Sequence, residues 1–306
     1  QGPTGAITLD ASYDNRSRNL TVDFAAGEGK DGLVAVALGI PGAPSSDFRL
    51  LGSGPIDAFA ADIMLATDGK DRLAGGITLS ADGAGRSRLK ADLAGNLAPL
   101  FLPDYAEFLG TRLEVALDAS RAASGALTVD RFHIKAQSLS VDGHAVIAAD
   151  GLPESISLAG ILASPDGDPL LLPFGGLPTR IDHAQFEIDT AQDHGLAWMA
   201  KAVIAGLDRP DLAAETLALS GSGRIERNTS GNSFDGTFDY SAGGLAPADP
   251  ALAKALGPAL TGGFTLRFAA GDDSVQVSDI SLLGKGLSGS GQVKIEGLSA
   301  AFMTTG

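Results

Sequence analysis

The sequence predicts an all-β protein: an elongated, mainly antiparallel curled sheet (a β-groove, or β-taco) with two short helical plugs. Three observations lead to this prediction. Short segments alternate apolar and polar residues at a period of two, with Gly, Asp and Asn turns between them. Predicted strands do not alternate with full-length helices along the chain, as they would in a protein with a parallel α/β sheet. The third observation is an internal repeat, because the stretch at 243–270 resembles one about 148 residues earlier.

Both copies of the repeat follow the same plan. The earlier copy begins with Gly95-Asn-Leu-Ala-Pro99 and the later copy with Gly243-Gly-Leu-Ala-Pro247. Each continues into a Pro-bounded helical segment and then into a strictly alternating strand, and the match extends to Leu139 and Leu287. Repetition on this scale is typical of a stacked array of similar units rather than of one closed core.

Taken in order, residues 1–163 are predicted to form a first β-groove sub-array. Short strands with turns such as Asp68-Gly69 describe an antiparallel meander, and the alternation of large and small apolar residues at 33–40 predicts one further strand. A plug helix is expected at about 99–110, where prolines fit a helix start and apolar residues could form one stripe. Strands then return from residue 112.

The Pro- and Gly-rich segment 164–179 is predicted to be a bend between two sub-arrays. Strands resume in a second sub-array at 180–306. A second plug helix is expected at about 247–260, where Leu252, Leu256 and Leu260 lie at helical spacing. The whole chain is expected to contain some 20–24 strands.

Composition excludes several function classes. The formal charge of −15, without a basic patch, argues against nucleic-acid binding and against docking on anionic lipid head groups through charge. The chain has no Cys, so disulfides and thiolate sites are ruled out. No apolar run is long enough to span a bilayer and no signal peptide is evident, so this segment is expected to be a soluble piece of a longer protein.

No motif predicts an enzyme, a metal site or a cofactor. Two matches to G-x-G-x-x-G, at 27–32 and 284–289, lack the following helix of a phosphate-binding loop and are interpreted as hairpin turns. The four His residues have no partner at helical spacing, and the nucleophile elbow G-x-S-x-G is absent.

The apolar face of the sheet remains as the candidate site. It is either the inner layer of a closed β-sandwich or the lining of an open trough. The repeat, the excess of Ala and Gly, and one plug per repeat favour the trough. The residues predicted to line it are Leu20, Val22, Phe24, Val34, Val36, Leu38, Leu113, Val115, Leu117, Phe264, Leu266 and Phe268.

Several segments resemble the TamB group of alphaproteobacteria, within the AsmA-like repeating β-groove superfamily. They include DLAGNLAPLFLPDY at 92–105, GLDRPDLAAETLALSGSGRI at 206–225 and GLAPADPALAKALGPALTG at 244–262. The similarity covers nearly the whole chain, but its motifs are compositional and none is catalytic.

The resemblance implies a middle segment of a periplasmic protein that is anchored in the inner membrane by a helix. It also implies an outer-membrane TamA-like barrel as a partner, contacted through a part that this sequence lacks. The family is associated with moving phospholipid to the outer membrane and with outer-membrane protein assembly.

Three hypotheses follow for function. The first is a lipid conduit whose apolar groove carries phospholipid acyl chains between the two membranes. The second is a scaffold for outer-membrane protein (autotransporter) assembly that pairs a sheet edge with a client strand. The third is a structural spacer with a filled β-sandwich core.

Overall fold

The structure, a computed structural model, describes residues 5–37, 39–100, 106–173, 176–192, 196–228, 231–269 and 274–296. It is 68% strand and 6% helical. Its 20 strands are paired antiparallel in a curled sheet that is not closed into a barrel, which confirms the predicted fold class. The chain divides into two compact units, 1–152 and 153–306. The predicted bend at 164–179 lies inside the second unit.

The first unit is a nine-stranded meander in which each strand pairs with the next along the chain. Its strands are β1 Gly5–Asp14, β2 Asn19–Glu28, β3 Ser46–Pro55, β4 Ala58–Thr67, β5 Lys70–Ala81, β6 Ser87–Gly95, β7 Leu113–Arg121, β8 Leu127–Lys135 and β9 Leu139–Ile147. The turn between β4 and β5 shows why hairpins form here. Asp68 and Gly69 both have positive φ, 49° and 68°, as a tight two-residue hairpin turn requires.

The second unit has eleven strands, three of them only two residues long. They are β10 Pro153–Ala163, β11 Leu170–Leu171, β12 Arg180–Ile181, β13 His183–Gln192, β14 Leu196–Asp208, β15 Leu212–Asn228, β16 Gly231–Gly243, β17 Ala246–Pro247, β18 Ala259–Ala269, β19 Ser274–Leu283 and β20 Ser288–Glu296. The main ladder runs β10–β13–β14–β15–β16–β18–β19–β20. The strands β11, β12 and β17 lie in the insertions that follow β10 and β16.

The long insertions of each unit lie at one edge of its sheet, which we call the helical edge. Turns of an antiparallel ladder alternate between two edges, so the connections after β2 and β6 share one edge of the first unit. The connections after β10 and β16 likewise share one edge of the second unit. The opposite, tight-turn edge of the first unit has short turns such as 15–18 and 82–86.

Helical segments occur at both predicted plugs, but they are shorter than predicted. The first plug has a 3-10 turn at Ala98–Leu100 and the helix α2 at Ala106–Leu109, and residues 101–105 lie outside the described residues. The second plug contains α3, Pro250–Leu256. Leu260, predicted to lie on that helix, is in β18 instead, because β18 begins at Ala259 to pair with Gly243 of β16.

The prediction of a strand at 33–40 is wrong. Leu33–Ala37 forms the helix α1 in the connection between β2 and β3. The backbone N–H of Val36 donates a hydrogen bond of 3.0 Å to the carbonyl of Gly32. Ala35 of this helix is buried, with 1% of its surface exposed. Because β2 pairs directly with β3, no strand position is left between them for this segment.

The internal repeat extends to irregularities of the sheet. The β8–β9 ladder shifts register between Val129 and Phe132, and the β19–β20 ladder shifts between Val277 and Ile280. The two residues skipped in each case, 130–131 and 278–279, are 148 positions apart in the sequence, which matches the spacing of the repeat. Bulges of this kind increase local twist at defined positions, so both copies bend at the same strand.

No helix among the residues that the structure describes is long and apolar enough to cross a membrane.

Candidate functional site: one uncharged face of the sheet

Strand pairing in the first unit joins the apolar side chains of all nine strands into one face, which we call the apolar face. Leu20, Val22 and Phe24 of β2 lie opposite Tyr13, Ala11 and Leu9 of β1. Every second residue of a strand points to the same face, and we call this alternation the parity of the residue. Pairing places residues of the same parity opposite one another in each successive strand. On β7 the apolar face consists of Leu113, Val115, Leu117 and Ala119. Their partners on β6 are, in the same order, Gly95, Leu93, Ala91 and Leu89. Over the central positions of all nine strands, this parity places no charged residue on the face.

The second unit repeats this arrangement across its eight long ladder strands. Phe264, Leu266 and Phe268 of β18 lie opposite Phe238, Gly236 and Phe234 of β16. The same side of β14 presents Trp198, Ala200, Ala202 and Ile204. Charged residues with this parity occur only at strand ends, as with Glu154 at the start of β10. The two-residue alternation of the sequence therefore becomes an uncharged surface several strands wide.

Nine of the twelve residues predicted to line the groove lie on the apolar face. They are Leu20, Val22, Phe24, Leu113, Val115, Leu117, Phe264, Leu266 and Phe268. The other three belong to the segment wrongly predicted as a strand. Val34 and Val36 are in α1, where Val36 is 60% exposed, and Leu38 lies outside the described residues.

Those nine side chains are half-buried, not buried. In the core of a two-layer sandwich the inner faces interdigitate and such residues lose nearly all contact with water. Among the described residues, Ile181 in β12, outside the main ladder, is the only large side chain with no exposure, whereas the buried rings of the apolar face, Phe59 and Trp198, remain 8% and 9% exposed. The apolar face is therefore sheltered by its own neighbours but not covered by a packed second layer.

The buried residues of the second unit concentrate near its helical edge. Leu170 and Leu172 in the insertion after β10, Ile181 in β12, Leu207 at the end of β14 and Leu245 before β17 are all buried. The insertions thus form a small core of their own at the edge. This position leaves the central strand positions of the apolar face free of covering chain.

The opposite, charged face carries cross-strand ion pairs. Arg88 of β6 donates two hydrogen bonds of 2.6 Å to the carboxylate of Asp118 in β7, and Arg267 pairs with Asp235 at 2.6 Å. The hydrogen bond from Arg88 holds the pKa of Asp118 below its ordinary value. His133 Nδ1 lies 2.6 Å from Asp142 on the neighbouring strand. Away from the strand ends, charged residues thus lie on one side of the sheet, where they meet water.

An aromatic ladder on the apolar face was missed by the sequence analysis. Trp198 stacks on Phe234 with ring centroids 5.2 Å apart and contacts Phe238 at 5.4 Å; Phe238 stacks on Phe264 at 4.9 Å. The four rings span β14, β16 and β18. The signal that could have found them is the alternation of aromatic residues with Gly and Asp in 234–240.

Two pockets are lined mainly by residues of the charged face. One, of about 900 Å³ in the second unit, has charged-face residues such as Asp189, Arg224 and Arg267, and its lining also includes apolar-face residues, among them Trp198, Phe234 and Phe268. The other, of about 570 Å³ in the first unit, includes Asp10, Asp23, Asp47, Arg49 and Asp71.

Metal binding finds no support in the described part of the chain. No group of three or more His, Asp or Glu side chains there could hold a metal ion. The glycine-rich motif at 284–289 lies in the hairpin that joins β19 to β20, as predicted. The motif at 27–32 instead spans the end of β2 and leads directly into α1, so the prediction of a hairpin turn without a following helix is wrong there. The 17 residues between β2 and β3 are too many for a tight turn.

Comparison of the chain with protein-family models, with curated proteins and with solved structures finds no match.

Proposed function

We propose that the apolar face binds hydrocarbon, and that the chain is a segment of a bridge-like protein that carries phospholipid acyl chains. The observation that carries the proposal is a face without charged residues at its central positions that continues across the long strands of each unit, half-buried at the nine predicted positions and exposed on the edge strand β1. Removing one methylene group from water is worth about 0.8 kcal/mol, so an acyl chain resting on such a face is held without a specific pocket. Many equivalent aliphatic positions would let the chain slide.

The separation of charge supports the same proposal. Hydrocarbon cargo needs a lining without charges, and a protein with an exposed apolar lining needs a strongly charged exterior to stay dispersed. This chain has both, because its formal charge of −15 is carried by the charged face and the edges. A phosphate head group would stay in water beyond the apolar face.

The resemblance to the TamB group extends the proposal to location and partner. As part of a TamB-like protein, the segment would lie in the periplasm of a Gram-negative bacterium, in a chain anchored in the inner membrane. A TamA-like outer-membrane barrel would then be contacted by another part of that chain. These points rest on the resemblance alone.

The single tryptophan provides a direct test, because Trp198 lies on the apolar face and is 9% exposed. Phospholipid with bromine atoms on its acyl chains quenches indole fluorescence on contact. We expect quenching when the protein is titrated with vesicles of such a lipid, and none with the same lipid without bromine. Absence of quenching, together with absence of phospholipid in native mass spectra of the purified protein, would refute the proposal.

The strand-pairing scaffold is a second candidate because one observation favours it. Among the residues that the structure describes, the edge strand β1 pairs with β2 alone; it is exposed at all ten residues and contains neither proline nor a bulge. Such an edge can accept another strand. A proline at Thr8 should abolish client assembly if β1 is the docking edge, while quenching of Trp198 by brominated lipid should persist. Loss of quenching with intact client assembly would contradict the scaffold.

A further inference from the structure

Four glycines on the apolar face lie beneath aromatic rings of neighbouring strands. A Cβ atom added at Gly52 would run into the ring of Phe59, one at Gly160 into Phe186, and one at Gly221 into Phe238 at 2.7 Å. A Cβ at Gly236 would collide with the indole of Trp198. In all four cases the nearest atoms belong to side chains and not to the backbone.

The backbone does not require glycine at these four positions. Positive φ, which only glycine adopts without strain, occurs at other glycines such as Gly69 and Gly257 but at none of these four. Each lies in a strand, whose extended backbone conformation is open to any residue type. The space above the glycine is therefore what distinguishes these positions, and an aromatic ring fills that space.

Each ring therefore leans across from its own strand and occupies the space directly above a glycine of another strand. A large ring that points straight out from its strand extends far above the surface of the sheet. A ring that leans over a glycine of another strand extends less far above that surface. Trp198 lies across two strands in this way: it is opposite Gly223 of β15 and reaches Gly236 of β16.

We propose that these glycines set the clearance above the apolar face for hydrocarbon cargo, and that Gly236 beneath Trp198 is the controlling position. This inference rests on the proposed function. Lengthening the side chain at Gly236 would lift the indole into the path of the acyl chain while leaving strand pairing unchanged. The glycines would then determine what thickness of cargo passes.

Trp198 is suited to such movement because nothing polar holds its ring. The indole Nε1–H is buried and has no hydrogen-bond partner among the described residues. The ring is held by stacking on Phe234 and Phe238 and by the room over the glycines. Lifting it breaks no hydrogen bond and exposes the N–H to water, which offsets part of the lost contact.

The test compares Gly236→Ala with the matched control Gly291→Ala. Gly291 lies on the apolar face of β20, opposite Ile280, and a Cβ there meets nothing within 4 Å. Without lipid, we expect a red-shifted Trp198 emission and faster quenching by acrylamide in Gly236→Ala. With brominated phospholipid vesicles, we expect the affinity of Gly236→Ala for lipid to be about tenfold lower than that of the wild type. This is the loss expected if roughly two methylene groups of the acyl chain remain in contact with water. Gly291→Ala should match the wild type in both measurements.

Three outcomes overturn the inference in distinguishable ways. If the indole of Gly236→Ala becomes accessible to acrylamide while lipid binding stays at the wild-type level, the ring does not control clearance. If the accessibility of the indole does not change, the glycine does not set the height of the ring. If wild-type protein is not quenched by brominated lipid at all, the proposed function fails and the inference fails with it.

A second variant covers the case in which Gly236→Ala does not fold, as judged by far-UV circular dichroism. Gly160→Ala should lift Phe186 in the same unit while leaving the surroundings of Trp198 intact. Weaker quenching by brominated lipid with unchanged acrylamide accessibility is then the expected result. Unchanged lipid quenching would overturn the inference.

Discussion

The backbone N–H of Lys285 donates a hydrogen bond of 2.8 Å to the carbonyl of Leu256, the last residue of α3. The neighbouring N–H of Gly286 donates to Ala255 at 2.9 Å. In the first unit the N–H groups of Gln137 and Ser138, which lie 148 positions earlier, donate to Leu109 and Phe108 of α2, each at 3.2 Å. Both plugs are thus attached to the following hairpin by the same pair of backbone bonds, which satisfy carbonyls left free at a helix end.

The residue after each helix should be sensitive to substitution. Gly257 has φ 70° and ψ −171°, a region essentially restricted to glycine, and an added Cβ would lie 2.5 Å from the Cβ of Lys285. We expect Gly257→Ala to lower the free energy of unfolding by about 2 kcal/mol in urea denaturation. Gly69→Ala, also at positive φ but with open space around it, should cost about 1 kcal/mol. Equal losses would show that the contact with Lys285 is unimportant.

The second plug should be weakened through its N-terminal cap. The carboxylate of Asp249 accepts hydrogen bonds from the N–H groups of Ala251 at 2.7 Å and Leu252 at 3.0 Å. Asp249→Ala should therefore cost about 1 kcal/mol of stability. Because no residue of α3 is buried, the helix does not seal the apolar face, and we expect lipid quenching of Trp198 to stay at the wild-type level. A change in the quenching rate would instead identify α3 as a gate.

The two faces of β7 provide a matched pair of charge insertions. Val115 lies on the apolar face, and its neighbour Ala116 lies on the charged face opposite His133. Val115→Asp should weaken lipid binding by about tenfold or more, because a carboxylate resists desolvation under hydrocarbon. Ala116→Asp should leave binding unchanged. Lipid occupancy in native mass spectra provides the measurement, and equal occupancy in the two variants would contradict the lipid-binding role of this face.

Acid should weaken the charged face through Asp118. Since the hydrogen bond from Arg88 lowers the pKa of this carboxyl in the folded chain, its contribution to stability is present above the unfolded-state pKa and is lost as pH falls through the lower folded-state pKa. We expect Asp118→Asn to lower the urea midpoint at neutral pH and to have no effect once pH is well below the ordinary value of 3.8. A difference that persists at low pH would exclude the ion pair as its cause.

The side to which each strand turns its apolar residues follows from the sequence. Alternation at a period of two is a local property, so the nine residues that lie on the apolar face could be assigned to one side of their strands without knowing which strands pair. The repeat was equally readable, and the bulges at 130–131 and 278–279 show that it extends to the backbone.

The tertiary structure decided the features that depend on distant partners. Residues 33–40 alternate like a strand, but the pairing of β2 with β3 excludes them from the sheet, and Leu33–Ala37 forms a helix that buries Ala35. The role of Gly236 likewise depends on Trp198, two strands away, whose ring no local pattern predicts to lie there. Local sequence determines to which face of the sheet a side chain points, because the alternation depends only on residues adjacent along the chain. What covers or leaves open that face depends on contacts between strands far apart in sequence.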